Sequence, residues 1–303
     1  MIPLSWKRNF LRAKNSHRMS KELIIVLGPT AVGKTDYAID LAQRYGSPVI
    51  SCDSRQIFKE LKIGTAPPSV EQLAMVKHYF ISSHSVKDYY TAGKYELEAL
   101  ALLDELFKDH DTLVMAGGSG LYVDALCNGL DDFPPADQQL RSSLMEQLER
   151  EGLNSMRLQL KSLDKEAYDT IDIANPRRVV RAVEVTLQTG KKYSQWRNNP
   201  KKSRFFRISK RCLVRPREEL YGRINRRVDI MMERGLLEEV KGLMEYRNMP
   251  ALNTVGYKEI FDYIDGNIDL SRAVELIKRN TRRYAKKQLT YWGRDNEIEY
   301  LSL

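Results

Sequence analysis

The hydrophobic pattern becomes regular at Leu23. Leu23–Leu27 (LIIVL) is a continuous apolar run of strand length, as expected of a strand buried on both faces. After a glycine-containing turn, Tyr37, Ala38, Leu41, Ala42 and Tyr45 recur at helical spacing, and Gly46 closes the helix. Pro48–Cys52 (PVISC) predicts a second strand ending at Asp53. A helix is expected over about 94–108, and Thr112–Ala116 (TLVMA) predicts a further buried strand ending at Gly117-Gly118. Strand–helix alternation of this kind implies a parallel sheet covered by helices.

From residue 135 to 190 the period changes. Leu140, Leu144, Leu148, Leu153, Met156 and Leu160 follow helical spacing around Gly152. Asn175 then reads as an N-cap with Pro176 at the first helical position, and Val180, Val183 and Leu187 share one face up to Gly190. No strand pattern interrupts this stretch. A helical insertion over 131–204 is therefore expected, opened by Pro134-Pro135 and left through the polar, basic run 191–204. Phe205–Val214 reads as a returning strand, with long helices at about 217–247 and 271–292. The expected architecture is an α/β core over 21–130 and 205–303, with a P-loop NTPase-like parallel sheet, a helical insertion and C-terminal helices.

Composition sharpens this outline. At 42% apolar and 29% charged, the 303 residues make a globular chain of about two domains. Three widely spaced cysteines argue against a disulfide scaffold and a cysteine zinc site. No apolar run reaches bilayer length, and the basic first twenty residues lack the apolar centre of a secretory signal, so a cytoplasmic protein away from membranes is expected. Those residues, without periodicity, read as a disordered arm or as a start upstream of the true one, since Met19 sits just before the first strand. The net charge of +9 is uneven: residues 1–20 carry +5, 191–217 carry +11 and 271–294 carry +7. Lys278, Arg282 and Lys286, with Arg279, Arg283 and Lys287 beside them, would form one cationic helix face suited to a nucleic-acid backbone.

Directly after the first strand stands Gly28-Pro29-Thr30-Ala31-Val32-Gly33-Lys34-Thr35, a full match to G-x-x-x-x-G-K-[ST] between a strand and a helix. Such a loop turns backbone amides around a phosphate at a helix N-terminus; Lys34 adds charge, and the Thr35 hydroxyl is placed to hold Mg²⁺. Asp53 and the Gly117-Gly118-Ser119-Gly120 loop stand at other strand ends, where open parallel sheets collect their chemistry. The strand Thr112–Ala116 lacks the terminal aspartate of a typical P-loop ATPase, which disfavours simple phosphoryl transfer to water.

These residues, taken in order, resemble the tRNA dimethylallyltransferases, also called tRNA isopentenyltransferases. The likeness rests on GPTAVGKT at 28–35, DSRQIF at 53–58, GTA at 64–66, GGSGLY at 117–122 and RRVVRAVEV at 177–185. It continues through RINRRVDIMMERGLLEEV at 223–240, VGYKE at 255–259 and TRRYAKKQLT at 281–290. The resemblance implies Mg²⁺-dependent transfer of a dimethylallyl group from dimethylallyl diphosphate to the exocyclic amine of the adenosine 3′ of the tRNA anticodon, with the base extruded from its loop. It makes Asp53 the general base, with Lys34, Thr35 and Ser119 also catalytic. Gly28, Pro29, Thr30, Ala31, Val32, Gly33, Lys34, Thr35 and either Arg223 or Arg227 would hold diphosphate. Contacts to the anticodon stem-loop would come from Asp53, Ser54, Arg55, Gln56, Ser119, and from Arg177, Arg178, Val179, Val180 and Arg181 in the insertion. Further contacts would come from Asn253, Thr254, Val255, Gly256, Tyr257, Lys258, Lys286, Lys287 and Gln288. Ser119 stands where the family has threonine, Phe58 where it has tyrosine and Pro67 where it has lysine. A monomer is expected.

A small-molecule kinase would share the P-loop and sheet but leave the basic segments unused. An adenylate isopentenyltransferase, acting on free nucleotide, would not need charge for a large polyanion.

Overall fold

The computed structural model describes residues 21–197 and 201–303. The expected N-terminal arm lies outside the described residues. Two compact units are present, one through Cys127 and again from Ser203, the other Asn128–Lys202.

In chain order the larger unit begins with β1 (Glu22–Leu27), α1 (Lys34–Tyr45), β2 (Val49–Ser51), α2 (Val70–Met75), β3 (His78–Tyr79), α3 (Ala92–Leu106), β4 (Thr112–Ala116) and α4 (Gly120–Asn128). Its strands form one parallel sheet of order β3-β2-β4-β1-β5-β6, completed after the smaller unit by β5 (Arg207–Val214) and β6 (Ile298–Ser302). Leu23–Leu27 are at most 1% exposed, which is why β1 reads as an unbroken apolar run. Val26 pairs with Ala116, and Ala116 with Ser51, so β1, β4 and β2 end side by side. Cys52 N–H donates to Ala116 O at 2.9 Å and Gly117 N–H to Val26 O at 3.1 Å, carrying that alignment into the loops. Gly46 caps α1 in the left-handed conformation, as its sequence position suggested.

The smaller unit is helical: α5 (Gln138–Leu163), α6 (Lys165–Thr170), α7 (Pro176–Thr189) and α8 (Tyr193–Trp196). Gly152, at φ 77°, breaks α5 in two. Asn175 caps α7 by accepting from the N–H groups of Arg177 and Arg178, and Gly190 ends it. Leu144, Met156, Leu160, Val179, Val180 and Val183 form its core.

The long helix expected over 217–247 is three pieces: α9 (Arg217–Glu233), α10 (Leu236–Lys241) and a 3₁₀ turn at Met244–Tyr246. Gly235, at φ 92°, makes the first break, a turn that periodicity alone does not reveal. α11 (Tyr257–Ile264) and α12 (Leu270–Trp292) complete the unit. A second cluster unites Val228, Leu236, Val240, Ile260 and Ile277 from these helices with Ile57 and Phe58. Phe58 therefore belongs to the core, and its lack of a hydroxyl suits that place. The short strands β3 and β6 had no distinct signal in the sequence. No helix among the described residues is long and apolar enough to cross a membrane.

Candidate active site

The loops leaving β1, β2 and β4 meet above the sheet. In the β1 loop, Gly28 has φ 138° and a Cβ there would lie 2.7 Å from the Leu213 carbonyl oxygen, so only glycine fits. Cations hold the loop's carbonyls: Lys34 Nζ donates to Gly28 O and Pro29 O at 2.9 Å each, Arg223 Nε to Ala31 O at 2.8 Å and Arg215 Nε to Val32 O at 2.8 Å. These contacts fix the loop's backbone, whose remaining amides and following helix N-terminus can receive an anion beside the same cations. Arg227 Nη1 lies 3.4 Å from Thr30 Oγ1. Burial lowers its pKa first, and the nearby charge of Arg223 lowers it further. Lys34 is brought down to about 8 by burial, against the opposing pull of Asp53, with Arg227 adding to the depression.

Asp53 Oδ1 accepts the N–H groups of Arg55 at 2.8 Å and Gln56 at 3.2 Å. One carboxylate oxygen thus closes the turn after β2. Gln56 Nε2 donates to Thr65 O and Ala66 O at 3.2 and 2.9 Å, and Ser119 from the glycine loop bonds Ser54.

Two cavities, of about 580 and 590 Å³, open on this cluster. The first is bounded by Thr30, Gly33, Lys34, Thr35, Arg223 and Arg227, with Ile63, Pro67, Val70, Ile81 and Met231 as an apolar wall. The second is bounded by Ser54, Arg55, Asn253, Thr254, Val255, Gly256, Lys258, Arg283, Tyr284 and Lys287. Asp53, Thr30, Thr65, Ala66, Arg227, Met231 and Tyr284 line both. Of the expected diphosphate residues, Thr30, Ala31, Gly33, Lys34, Thr35, Arg223 and Arg227 line the first cavity, whereas Gly28, Pro29 and Val32 are buried beneath it as the loop's frame; with most of the expected RNA contacts of this unit, the former converge on two chambers sharing one carboxylate.

Several expected contacts are placed otherwise. Gln288 is buried at the edge of the first cavity, not the second, with its amide bonded to Thr30 and Gly118. Tyr257 is buried, its hydroxyl donating to Glu239 Oε1 at 2.7 Å, and burial raises its pKa. Val179 and Val180 face the core of the helical unit, because a contiguous motif on a helix necessarily includes its inward face. Arg181 bonds the fully buried Glu184 at 2.6 Å and Pro134 O at 2.7 Å, whereas Arg177 and Arg178 are exposed. The cationic face of α12 is divided. Lys278 pairs with Asp229 and Arg282 donates to Asn225 Oδ1 at 2.6 Å, both on α9, while Arg283, Lys286 and Lys287 are exposed. About half of the basic block 191–217 is paired with carboxylates: Lys202 meets Asp132, Arg204 Glu96, Arg207 Glu22, Lys210 Asp295, Arg211 Glu299 and Arg215 Glu219.

Residues that sequence reasoning passed over also matter. Arg215 holds the phosphate loop, a role that its place in a basic run does not reveal. Tyr284, 42% exposed, lines both cavities. Glu239 accepts the N–H groups of Lys62, Ile63 and Gly64 at 2.9, 2.7 and 3.0 Å, fixing the loop that leads to Thr65 and Ala66. Both Tyr284 and Glu239 lie inside motifs quoted above, but their roles depend on contacts distant in the chain.

Among the described residues no cluster of three His, Cys, Asp or Glu could hold a metal alone. The first cavity offers hard oxygen donors, the Thr35 hydroxyl and the carboxylates of Asp36 and Asp53, which suits Mg²⁺ when a ligand's phosphates complete its shell.

The profile of the family described as IPP transferase matches residues 56–295. The chain is 48% identical over 278 residues to tRNA dimethylallyltransferase 1 of Bacteroides thetaiotaomicron, covering 92% of this chain and 90% of that protein. It is 50% identical over 278 residues to tRNA dimethylallyltransferase 2 of Parabacteroides distasonis, covering 92% and 93%. The crystal structure of the full-length tRNA isopentenylpyrophosphate transferase of Bacillus halodurans superposes with TM-score 0.68 at 34% identity, over 93% of this chain and 90% of the other. A eukaryotic dimethylallyltransferase, seen in crystallographic snapshots acting on tRNA, gives TM-score 0.79 at 26% identity, over 93% and 74%.

Proposed function

The chain belongs to the IPP transferase family, and from that premise we propose that it transfers a dimethylallyl group from dimethylallyl diphosphate to the exocyclic amine of the adenosine 3′ of the anticodon in tRNA. The products are isopentenyladenosine and diphosphate. The observation that carries this reading is Asp53 lining both cavities, one edged by the phosphate loop and the other by Arg55, Lys258, Arg283 and Lys287.

In this reading the first cavity takes the donor, with diphosphate on the loop amides and the side chains of Lys34, Arg223 and Arg227. Its apolar wall takes the prenyl tail. The second cavity takes the extruded adenosine and the backbone around it. As the C1–O bond of the donor breaks, its electron pair leaves with diphosphate, whose charge those cations stabilise. The lone pair of the amine forms the new C–N bond, and the amine proton passes to the Asp53 oxygen not needed for the turn. Thr35 would hold Mg²⁺ with the diphosphate oxygens, where the ion supplies further neutralisation of the leaving group. The enzyme acts as a monomer in the cytoplasm, and the exposed Arg177 and Arg178 of the helical unit add contacts to the anticodon stem.

The test is one incubation of purified protein, Mg²⁺, unmodified tRNA and prenyl-labelled dimethylallyl diphosphate, beside a tube holding ATP labelled on its terminal phosphate. Label entering tRNA from the prenyl donor alone is expected. Label moving from ATP and none from the prenyl donor would replace this reading with a kinase.

A further inference from the structure

We propose that Gln288 is a positioning residue for the transfer, a single amide that sets the spacing between the phosphate loop and the glycine loop; its place in the reaction rests on the proposed function. Oε1 accepts the Thr30 N–H at 2.9 Å, and Nε2 donates to the Gly118 carbonyl at 2.9 Å. The residue is 6% exposed, and a Cβ added to Gly118 would lie 2.1 Å from Nε2, so the fit leaves no slack. The strands align the roots of the two loops through Val26 and Ala116. Gln288 fixes their tips.

Glutamine suits this post because one planar group offers both an acceptor and a donor. A carboxylate of the same length would set an oxygen against the Gly118 carbonyl, and an apolar side chain would leave a buried N–H and C=O unpaired. The contact reaches further through the glycine loop. Gly118 precedes Ser119, which bonds Ser54, which follows Asp53. The amide therefore holds the donor loop and the proton acceptor in one frame. Thr30's own N–H, taken by Gln288, is not available to an anion, so diphosphate is left to the amides farther along the loop. One turn back on α12, Tyr284 lines both cavities. The helix that faces the acceptor thus also holds the donor loop.

The full chain is compared as wild type, Gln288→Met and Gln288→Glu. Methionine keeps the length and removes both bonds. The donor KM is expected to rise and kcat to fall, each by about tenfold, as the loss of two buried bonds implies, while tRNA affinity by filter binding stays within about twofold. Glutamate keeps the Thr30 bond but donates to Gly118 only when protonated, so its rate relative to wild type should climb as pH falls from about 8 to about 6. Taking the ratio cancels pH effects that arise elsewhere in the site, at Lys34, Asp53 and Tyr284, which are present in both proteins. Inorganic diphosphate binding, read as the rise it gives in Tm, tests the amide without any transfer. Gln288→Met should lose most of that rise whether or not tRNA is the acceptor. Absence of tRNA prenylation by the wild type would therefore sink the proposed function, while the diphosphate shift still decides the role of Gln288. Wild-type kinetics and an unchanged diphosphate shift in Gln288→Met, or a flat pH ratio in Gln288→Glu, would overturn the proposal. If the methionine variant does not fold, the glutamate profile decides.

Discussion

Ser119 Oγ accepts the Ser54 N–H at 2.8 Å and lies 3.0 Å from the Ser54 hydroxyl, fastening the glycine loop to the residue after Asp53. Removing that hydroxyl frees the backbone beside the proposed base without touching the phosphate loop. Ser119→Ala is expected to lower kcat about five- to tenfold, in line with one lost hydrogen bond of about 1 kcal/mol, and to leave the donor KM nearly unchanged. Ser119→Thr, which keeps the hydroxyl, should stay close to wild type. Initial rates over a range of donor concentrations separate the two.

Asp53 has two duties, and substitution can divide them. Asparagine keeps an oxygen for the N–H groups of Arg55 and Gln56 but cannot accept the amine proton. Asp53→Asn is therefore expected to lower kcat by at least about 100-fold with tRNA binding intact, the scale of a lost general base. Asp53→Ala should add a fall in Tm from the lost turn bonds. Single-turnover transfer at saturating tRNA, beside a melting curve, gives both numbers.

Lys34 makes donor binding sensitive to alkali. Its pKa is about 8 against an ordinary 10.5, with burial the main cause. Between those values the unfolded chain binds more protons, so this residue's contribution to stability grows as pH rises through that window. Anion binding runs the other way, since diphosphate favours the ammonium. The donor KM should climb as pH rises above about 8, while Lys34→Met shows a weaker dependence and a high KM throughout. A pH series of KM for both proteins checks this; a wild-type KM that does not change with pH would contradict it.

Arg283 and Lys287 are the α12 cations that line the second cavity, whereas Lys278 and Arg282 are committed to α9. Arg283→Gln with Lys287→Gln should weaken tRNA binding and flatten its salt dependence by about 1.4 to 1.8 in log–log slope, two phosphate contacts at about 0.7–0.9 each. Arg282→Gln should leave the slope unchanged. Binding titrations over a range of salt concentrations distinguish the two variants.

The parts of this molecule legible in its sequence are those with local causes. β1 and β4 are buried on both faces and declare themselves as apolar runs. Gly28, Lys34 and Thr35 sit in a motif recognisable from its own short spacing, and Asn175 and Gly190 cap the helix they adjoin. The illegible parts depend on partners far along the chain. Spacing put Lys278 and Arg282 on a cationic face, but it could not show that Asp229 and Asn225 of another helix stand opposite. A motif carried over as a block brought Val179 and Val180 with it, though a helix turns every such block through its core. Gln288 and Glu239 look like ordinary polar positions until the loops they hold are brought to them. Gly235 breaks a helix whose apolar spacing continues past it.

The sheet is threaded so that β1, first in the chain, has β4 on one side and β5 on the other, and β5 follows the whole helical unit. A chain growing from the ribosome must therefore carry β1 with one edge unpaired while the helical unit is made. The residues that grip the phosphate loop, Arg215, Arg223 and Gln288, emerge later still. The donor pocket is thus completed only after α12 has been made. A product ended before β5 would not be a weakened enzyme; it would be an apolar strand offering its free edge to other chains.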